Sequence, residues 1–218
     1  MATSVLVSAV RDAARARVDD ASGAIAGDTE VLSYVQDAWE RLHSLYLGAE
    51  PDRFRTEASI TGAATVALPA DWFATIAVDY QPATGTRYPL RRLQESERNA
   101  FNGMTGPARA YRVIGTNVCL YPTPSGGTYI HIYTAGAATL AAGTTLNVRN
   151  GHNVFLELLV ARRLLEKEEA YDGRWEKQIE QIEESLVEEA ALRYLRDGSV
   201  ITGDNGYACD EGDHRRVF

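Results

Sequence analysis

Tyr111-Arg112-Val113-Ile114-Gly115-Thr116-Asn117-Val118-Cys119-Leu120-Tyr121 is the stretch that decides the fold. Two runs of β-branched and aromatic residues flank a turn in which Gly115 and Asn117 tolerate positive φ, so the stretch reads as a β-hairpin. Pro122 to Gly127 makes a second turn, and Tyr129-Ile130-His131-Ile132-Tyr133 then alternates strictly. The alternation predicts an antiparallel meander with one buried face, Ile130 and Ile132 inward and His131 outward. Cys119 reads as a small buried hydrophobe within it.

Working outward, residues 52–148 keep this strand-and-turn character. Val66-Ala67-Leu68 runs into the turn Pro69-Ala70-Asp71-Trp72, and Ile76 to Tyr80 is a further strand. Pro89 marks Tyr88 to Leu93 as an edge strand, because proline cannot donate to a ladder. Glu95 to Phe101 reads as a short helix.

Both flanks are helical. Residues 4–18 place Val7, Val10, Ala14 and Val18 on one face. A second helix starts at Asp28-Thr29-Glu30, with Asp28 or Thr29 as cap, carries an apolar stripe from Val31 to Tyr46, and stops at Gly48 before Pro51. After Asn153 an apolar helix runs to Glu166-Lys167-Glu168-Glu169. A last helix spaces Trp175, Ile179, Ile182 and Leu186 by four, three and four. That narrow seam serves packing in the chain's own bundle or against another subunit. The predicted fold is α+β: a helical bundle from the N- and C-terminal helices, an inserted antiparallel β-sheet module, and an extended C-terminal tail. The boundaries are 1–50 and 151–197 for the bundle helices, 51–150 for the β-rich module and 198–218 for the arm. The arm holds too few apolar residues to fold alone.

Composition narrows the function. The 218 residues are 45% hydrophobic, enough for a sizeable core, and the net charge of −8 argues against a dedicated nucleic-acid binder. Two cysteines, Cys119 and Cys209, are too few for a disulfide scaffold. The N-terminus has no signal-peptide pattern and no apolar run approaches a membrane span.

Catalytic groups do not converge. The four histidines, His43, His131, His152 and His214, share no metal-ligand spacing. Cys209-Asp210-Glu211-Gly212-Asp213-His214 fits neither a zinc nor an EF-hand pattern and reads as a solvated acidic tail. No nucleophile elbow appears, and Thr123-Pro124-Ser125-Gly126-Gly127 joins two strands, whereas a phosphate loop leads into a helix. Tyr111, Tyr121, Tyr129 and Tyr133 have too little basic company to stack single-stranded nucleic acid, so packing or a protein interface is the better reading. A rival reading is a hydrolase or transferase with a site built from Asp71, His131 and an acidic residue of the last helix.

The ordered series Trp39-Glu40-Arg41-Leu42-His43-Ser44-Leu45-Tyr46, Leu68-Pro69-Ala70-Asp71-Trp72, Pro89-Leu90-Arg91-Arg92, Pro107 before Tyr111 to Gly115, Leu120-Tyr121-Pro122-Thr123-Pro124 and Leu164 to Glu169 resembles the head-to-tail adaptor (connector) proteins of tailed bacteriophages. The resemblance covers about residues 28–190. It implies a virion protein of the neck, assembled in the host cytoplasm, without catalytic residues or cofactor. It implies a ring, usually of twelve copies, that joins the portal protein to tail or nozzle proteins and lets genomic DNA through without specific binding. No membrane is involved. Another virion ring, a head-completion or tail-terminator protein, is the alternative. On this reading Val200, Ile201, Tyr207, Val217 and Phe218 of the arm bind a partner, and Glu180, Glu183 and Glu184 face the lumen, where carboxylates repel phosphate.

Overall fold

The computed structural model describes residues 2–196 apart from residues 21, 98 and 150. In chain order it contains β1 (Ala2–Leu6), α1 (Val7–Arg17), α2 (Asp28–Ala49), a 3-10 turn (Pro51–Phe54), β2 (Arg55–Thr61), β3 (Thr65–Ala67), β4 (Trp72–Gln81), β5 (Tyr88–Pro89) and β6 (Arg91–Arg92). A second 3-10 turn (Glu95–Glu97) leads to β7 (Ala110–Ile114), β8 (Asn117–Tyr121), β9 (Thr128–Ala135), β10 (Thr145–Arg149), α3 (Asn153–Lys167) and α4 (Glu176–Arg196). The fold is mixed α+β.

The helices share one core. Val31, Val35, Ala38, Leu42 and Tyr46 recur at helical spacing on α2 and are buried together with Val7, Val10 and Ala14 of α1. α3 is buried on more than one side, from Phe155 through Ala161 and at Leu164, because it lies against both α1 and α2. Each such aliphatic side chain contributes about 1.5–3 kcal/mol on burial. The N-cap of α2 is neither expected residue but Gly27, one before Asp28 and two before Thr29, and it makes no side-chain cap bond. Asp28 and Glu30 instead occupy the first turn, where negative charge opposes the helix dipole, and Asp28 is held by Arg11 and Arg15.

The start of the chain differs from expectation. Residues 2–6, read as partly helical, form β1, paired antiparallel with β10 from Ala2↔Arg149 to Leu6↔Thr145. Thr3, Ser4 and Val5 are weak helix formers, and β10 supplies a ladder that the local sequence could not announce.

The middle of the chain folds as two four-stranded sheets, ordered β2-β9-β4-β5 and β3-β8-β7-β6. Ile60, Val78 and Tyr129 of the first share a core with Tyr111, Val118 and Leu120 of the second, so the sheets pack face to face. The β7–β8 hairpin forms in the register its turn dictates, Ile114↔Asn117 to Ala110↔Tyr121. The simple meander does not form. β9 returns to sit between β2 and β4, and β6 pairs with β7 in parallel. Being central and covered on both sides, β9 is buried continuously from Tyr129 to Thr134. His131, expected outward, is fully buried as a result. Cys119, expected buried, is half-exposed: it alternates with buried Val118 and Leu120 and lies opposite Arg112 and Thr65.

Candidate docking surfaces

α4 is amphipathic along a narrow line. Ile179 and Leu186 are 1% exposed and pack into the helical core, with Trp175, Ile182 and Ala190 half-buried beside them. Ion pairs also hold α4. Arg162 of α3 reaches Glu176 at 2.9 Å, Arg41 of α2 reaches Glu183 at 2.5 Å, Arg149 of β10 reaches Glu189 at 2.5 Å, and Arg193 reaches Asp52 at 3.1 Å. These straps lie at four levels along the helix. No local signal in the sequence marks Arg41 or Arg149 as their partners, because the pairs span more than a hundred residues or link different elements.

Of the three glutamates read as lumen-facing, the structure separates one from the other two. Glu183 turns inward to Arg41 and is mostly covered, whereas Glu180 and Glu184 are exposed on the outer side of α4, followed one turn on by exposed Glu188. Val187 and Leu192 flank that row and are also exposed.

At the junction of α2, β10 and the first 3-10 turn a second network forms. Arg149 binds Glu50 as well as Glu189, and Arg53 binds Glu50 and the carbonyl oxygen of Asn147. Burial would push the Glu50 carboxyl up, but the two guanidiniums outweigh it and hold the carboxyl below its ordinary range. The Tyr46 hydroxyl accepts the N–H of Arg149 and meets His152 Nδ1 at 3.0 Å. His43 is buried against Phe54, ring centroids 4.1 Å apart.

The rival catalytic grouping is not assembled as one site. His131 Nε2 meets Thr75 Oγ1 at 3.0 Å, and Thr75 accepts the indole N–H of Trp72. Asp71 accepts a hydrogen bond from the Tyr133 hydroxyl at 2.9 Å, and no bond joins it to His131. Desolvation lowers the pKa of His131, which favours the neutral ring inside the sandwich. No residue of α4 takes part in these bonds. Two surface concavities of about 120 and 160 Å3, one between α2 and α3 and one beside α1, lie away from this cluster. Both are below the roughly 300 Å3 at which ligand pockets begin. Among the described residues no group of three metal-ligating side chains converges, and no helix is long and apolar enough to cross a membrane.

Two large side chains of β4 are exposed. Register shifts at Trp72/Ala74 and Thr75/Ala77 mark two irregularities in β4, and Phe73 and Ile76, the residues skipped by the pairing, are 59% and 45% exposed. Such irregularities re-aim side chains, and they leave no mark in a run of apolar residues. The arm residues Val200, Ile201, Tyr207, Val217 and Phe218 lie outside the described residues, as does Cys209.

The straps and the seam hold α4 to its own subunit, and what remains exposed is the carboxylate row of α4 with Val187 and Leu192, and Phe73 and Ile76 on β4. No curated protein matches the chain. Residues 5–204 match the family model described as SU10 adaptor protein, a match that takes in both helical ends and the whole β-rich middle. The chain belongs to that family of bacteriophage head-to-tail adaptors.

Proposed function

We propose that this protein forms a ring, of twelve copies by the usage of such adaptors, between the portal and the tail, with a channel for the genome. Family membership gives it a structural role in the virion. The ring, its copy number and its partners are the further reading. The single observation that carries it is the build of α4: one edge is fastened to the rest of the subunit and the opposite edge presents exposed carboxylates beside Val187 and Leu192. A helix of this kind, set in a bundle made from both chain ends, suits the wall of a ring.

On this reading Glu180 and Glu184, with Glu188, face the lumen and keep phosphates from adhering. Glu183 contributes to the wall by tying α4 to Arg41. The seam Trp175, Ile179, Ile182 and Leu186 serves the subunit's own packing, in keeping with its place against the helical core. The arm, residues 198–218, binds the portal through Val200, Ile201, Tyr207, Val217 and Phe218. The β-rich module, residues 51–150, meets neighbouring copies and tail or nozzle proteins.

Co-expression with the portal protein of the same phage, followed by purification and electron microscopy, tests the reading. A ring of adaptor density stacked on the portal is expected. A chain that stays monomeric and runs apart from the portal under all conditions overturns it.

A further inference from the structure

Four strands lie at the outer edges of the two larger sheets: β2, β5, β3 and β6. Three of them are two or three residues long, and β5 contains Pro89. Short strands and proline are the ordinary devices that blunt an edge against pairing with another chain. β2 is the exception. It has seven residues, no proline, and an unbroken register with β9 from Arg55↔Thr134 to Thr61↔Thr128.

The direction of its free groups follows from the ladder. Gly62 donates its N–H to Gly127, one step beyond the Thr61↔Thr128 pair. In an antiparallel ladder bonded and non-bonded pairs alternate, so Ile60, Ala58 and Thr56 bond to β9. Arg55, Glu57, Ser59 and Thr61 turn their N–H and C=O groups away from it. Apart from two local bonds, Ala63 N–H to the Thr61 oxygen and Arg55 N–H to the Asp52 oxygen, no hydrogen bond from the described residues reaches that outward row.

The ribbon of β1 and β10 has the same property on one side only. The outer edge of β10 is covered: Asn147 C=O accepts from Arg53, and Arg149 N–H donates to Tyr46. Those bonds mark Asn147 and Arg149 as outward-facing positions, so their partners Ser4 and Ala2 face outward from β1 in turn. No hydrogen bond from the described residues covers them, and Leu6 at the end of the strand is 47% exposed.

Each chain thus presents two open strand edges of useful length. We infer that β1 of one copy pairs with β2 of the next, joining neighbouring subunits by a shared sheet. A contact of β1 with β1, or β2 with β2, is isologous: it closes a dimer and leaves the other edge bare. The β1–β2 contact is heterologous, covers both edges of every copy, and closes when the copies complete a ring. The charges allow it. β1 reads Ala-Thr-Ser-Val-Leu and carries none, and the β2 carboxylate of Glu57 is already paired with Arg87. The inference rests on the ring reading above and names the surfaces that make it.

The test uses the full chain with Cys119→Ser and Cys209→Ser. Ser4→Cys is combined in turn with Glu57→Cys, Ser59→Cys and Thr61→Cys, the outward positions whose N–H groups no described residue takes. Mild oxidation of assembled rings is expected to give, for one of the three pairs, a ladder of covalent multimers that no single-cysteine chain gives. Proline scanning supplies a second measurement. Ser59→Pro removes an outward N–H and is expected to leave the monomer's melting temperature within about 3 °C while cutting ring yield at least tenfold. Ala58→Pro removes a bond to β9 and destabilises the monomer itself. Rings that form without a ladder from any pair, with Ser59→Pro assembling normally, overturn the inference and leave the ring reading standing. Cross-links from Ser59→Cys alone, or from Ser59→Cys to cysteines placed at 200–202, also overturn it, since they name a different occupant of β2. Absence of any ring, with or without portal, removes the ring reading and this contact with it.

Discussion

Arg149 Nη1 lies 2.5 Å from Glu189 Oε2, and the same guanidinium holds Glu50 at the end of α2. One side chain from β10 thereby fastens the distal half of α4 to the end of α2, the helix that precedes the β-rich module. Arg149→Ala leaves both carboxylates without this partner. The groups are partly exposed, so the loss is expected to be about 1–2 kcal/mol, below that of a buried pair. Urea denaturation measures it, and an unchanged midpoint would mean that the apolar seam alone holds α4.

That seam provides the second prediction. Ile179→Ala and Leu186→Ala empty fully buried positions and should each destabilise the isolated subunit by about 2–4 kcal/mol. Val187→Ala, on the exposed side, should stay within about 0.5 kcal/mol. A seam reserved for a neighbouring subunit would instead leave the monomer unaffected and weaken only the assembly.

Stability should fall on acidification through the histidines. Burial lowers the pKa of His43, His131 and His152 below the ordinary 6.5. At neutral pH they are uncharged in both the folded and unfolded states. Below about 6.5 the unfolded chain takes up protons that the folded chain refuses, so stability declines from there down to the folded-state pKa values. His43→Phe, against Phe54, removes one such group. Melting temperatures between pH 7.5 and 5.5 should fall less steeply for this variant than for the parent; equal slopes count against the buried neutral ring.

Removing residues 198–218 should leave the described fold intact, since the arm is rich in Gly and Asp and holds too few apolar residues to build a core. The shortened subunit is expected to melt as the intact one does and to bind portal at least tenfold more weakly. Equal portal affinity for the two chains would assign the portal contact to another surface.

Glu180→Lys with Glu184→Lys should leave folding within about 0.5 kcal/mol, because both side chains are exposed and form no ion pair among the described residues. If they line the channel, particles carrying the variant should eject their genome more slowly at low salt and recover at high salt, where charges are screened. Ejection kinetics indifferent to the substitution would place this face of α4 elsewhere.

Much of the helical layer was legible because its signal is local. Val31, Val35, Leu42 and Tyr46 repeat at the period of the helix they form, and the turn at Gly115-Thr116 fixes its hairpin register, with Asn117, expected in the turn at positive φ, already in β8 opposite Ile114. β1 was not legible, since its partner lies about 140 residues away. The place of His131 was misread for a related reason. Alternation reports one covered face, and the second face of β9 is covered by strands and packing that the sequence does not order. The site residues divide in the same way: Glu183 looked equivalent to Glu180 and Glu184 until Arg41 was found beside it.

The sequence by itself determined most element types, the order helix, sheet, helix for residues 7–196, and the family, because periodicity, turn chemistry and ordered short motifs are written along the chain. Tertiary structure alone decided which strands are neighbours, which carboxylates are paired, and which strand edges remain open. The physical reason is range. Propensity and alternation act over a few residues, whereas hydrogen-bond ladders and ion pairs form between groups that meet only after the chain has folded.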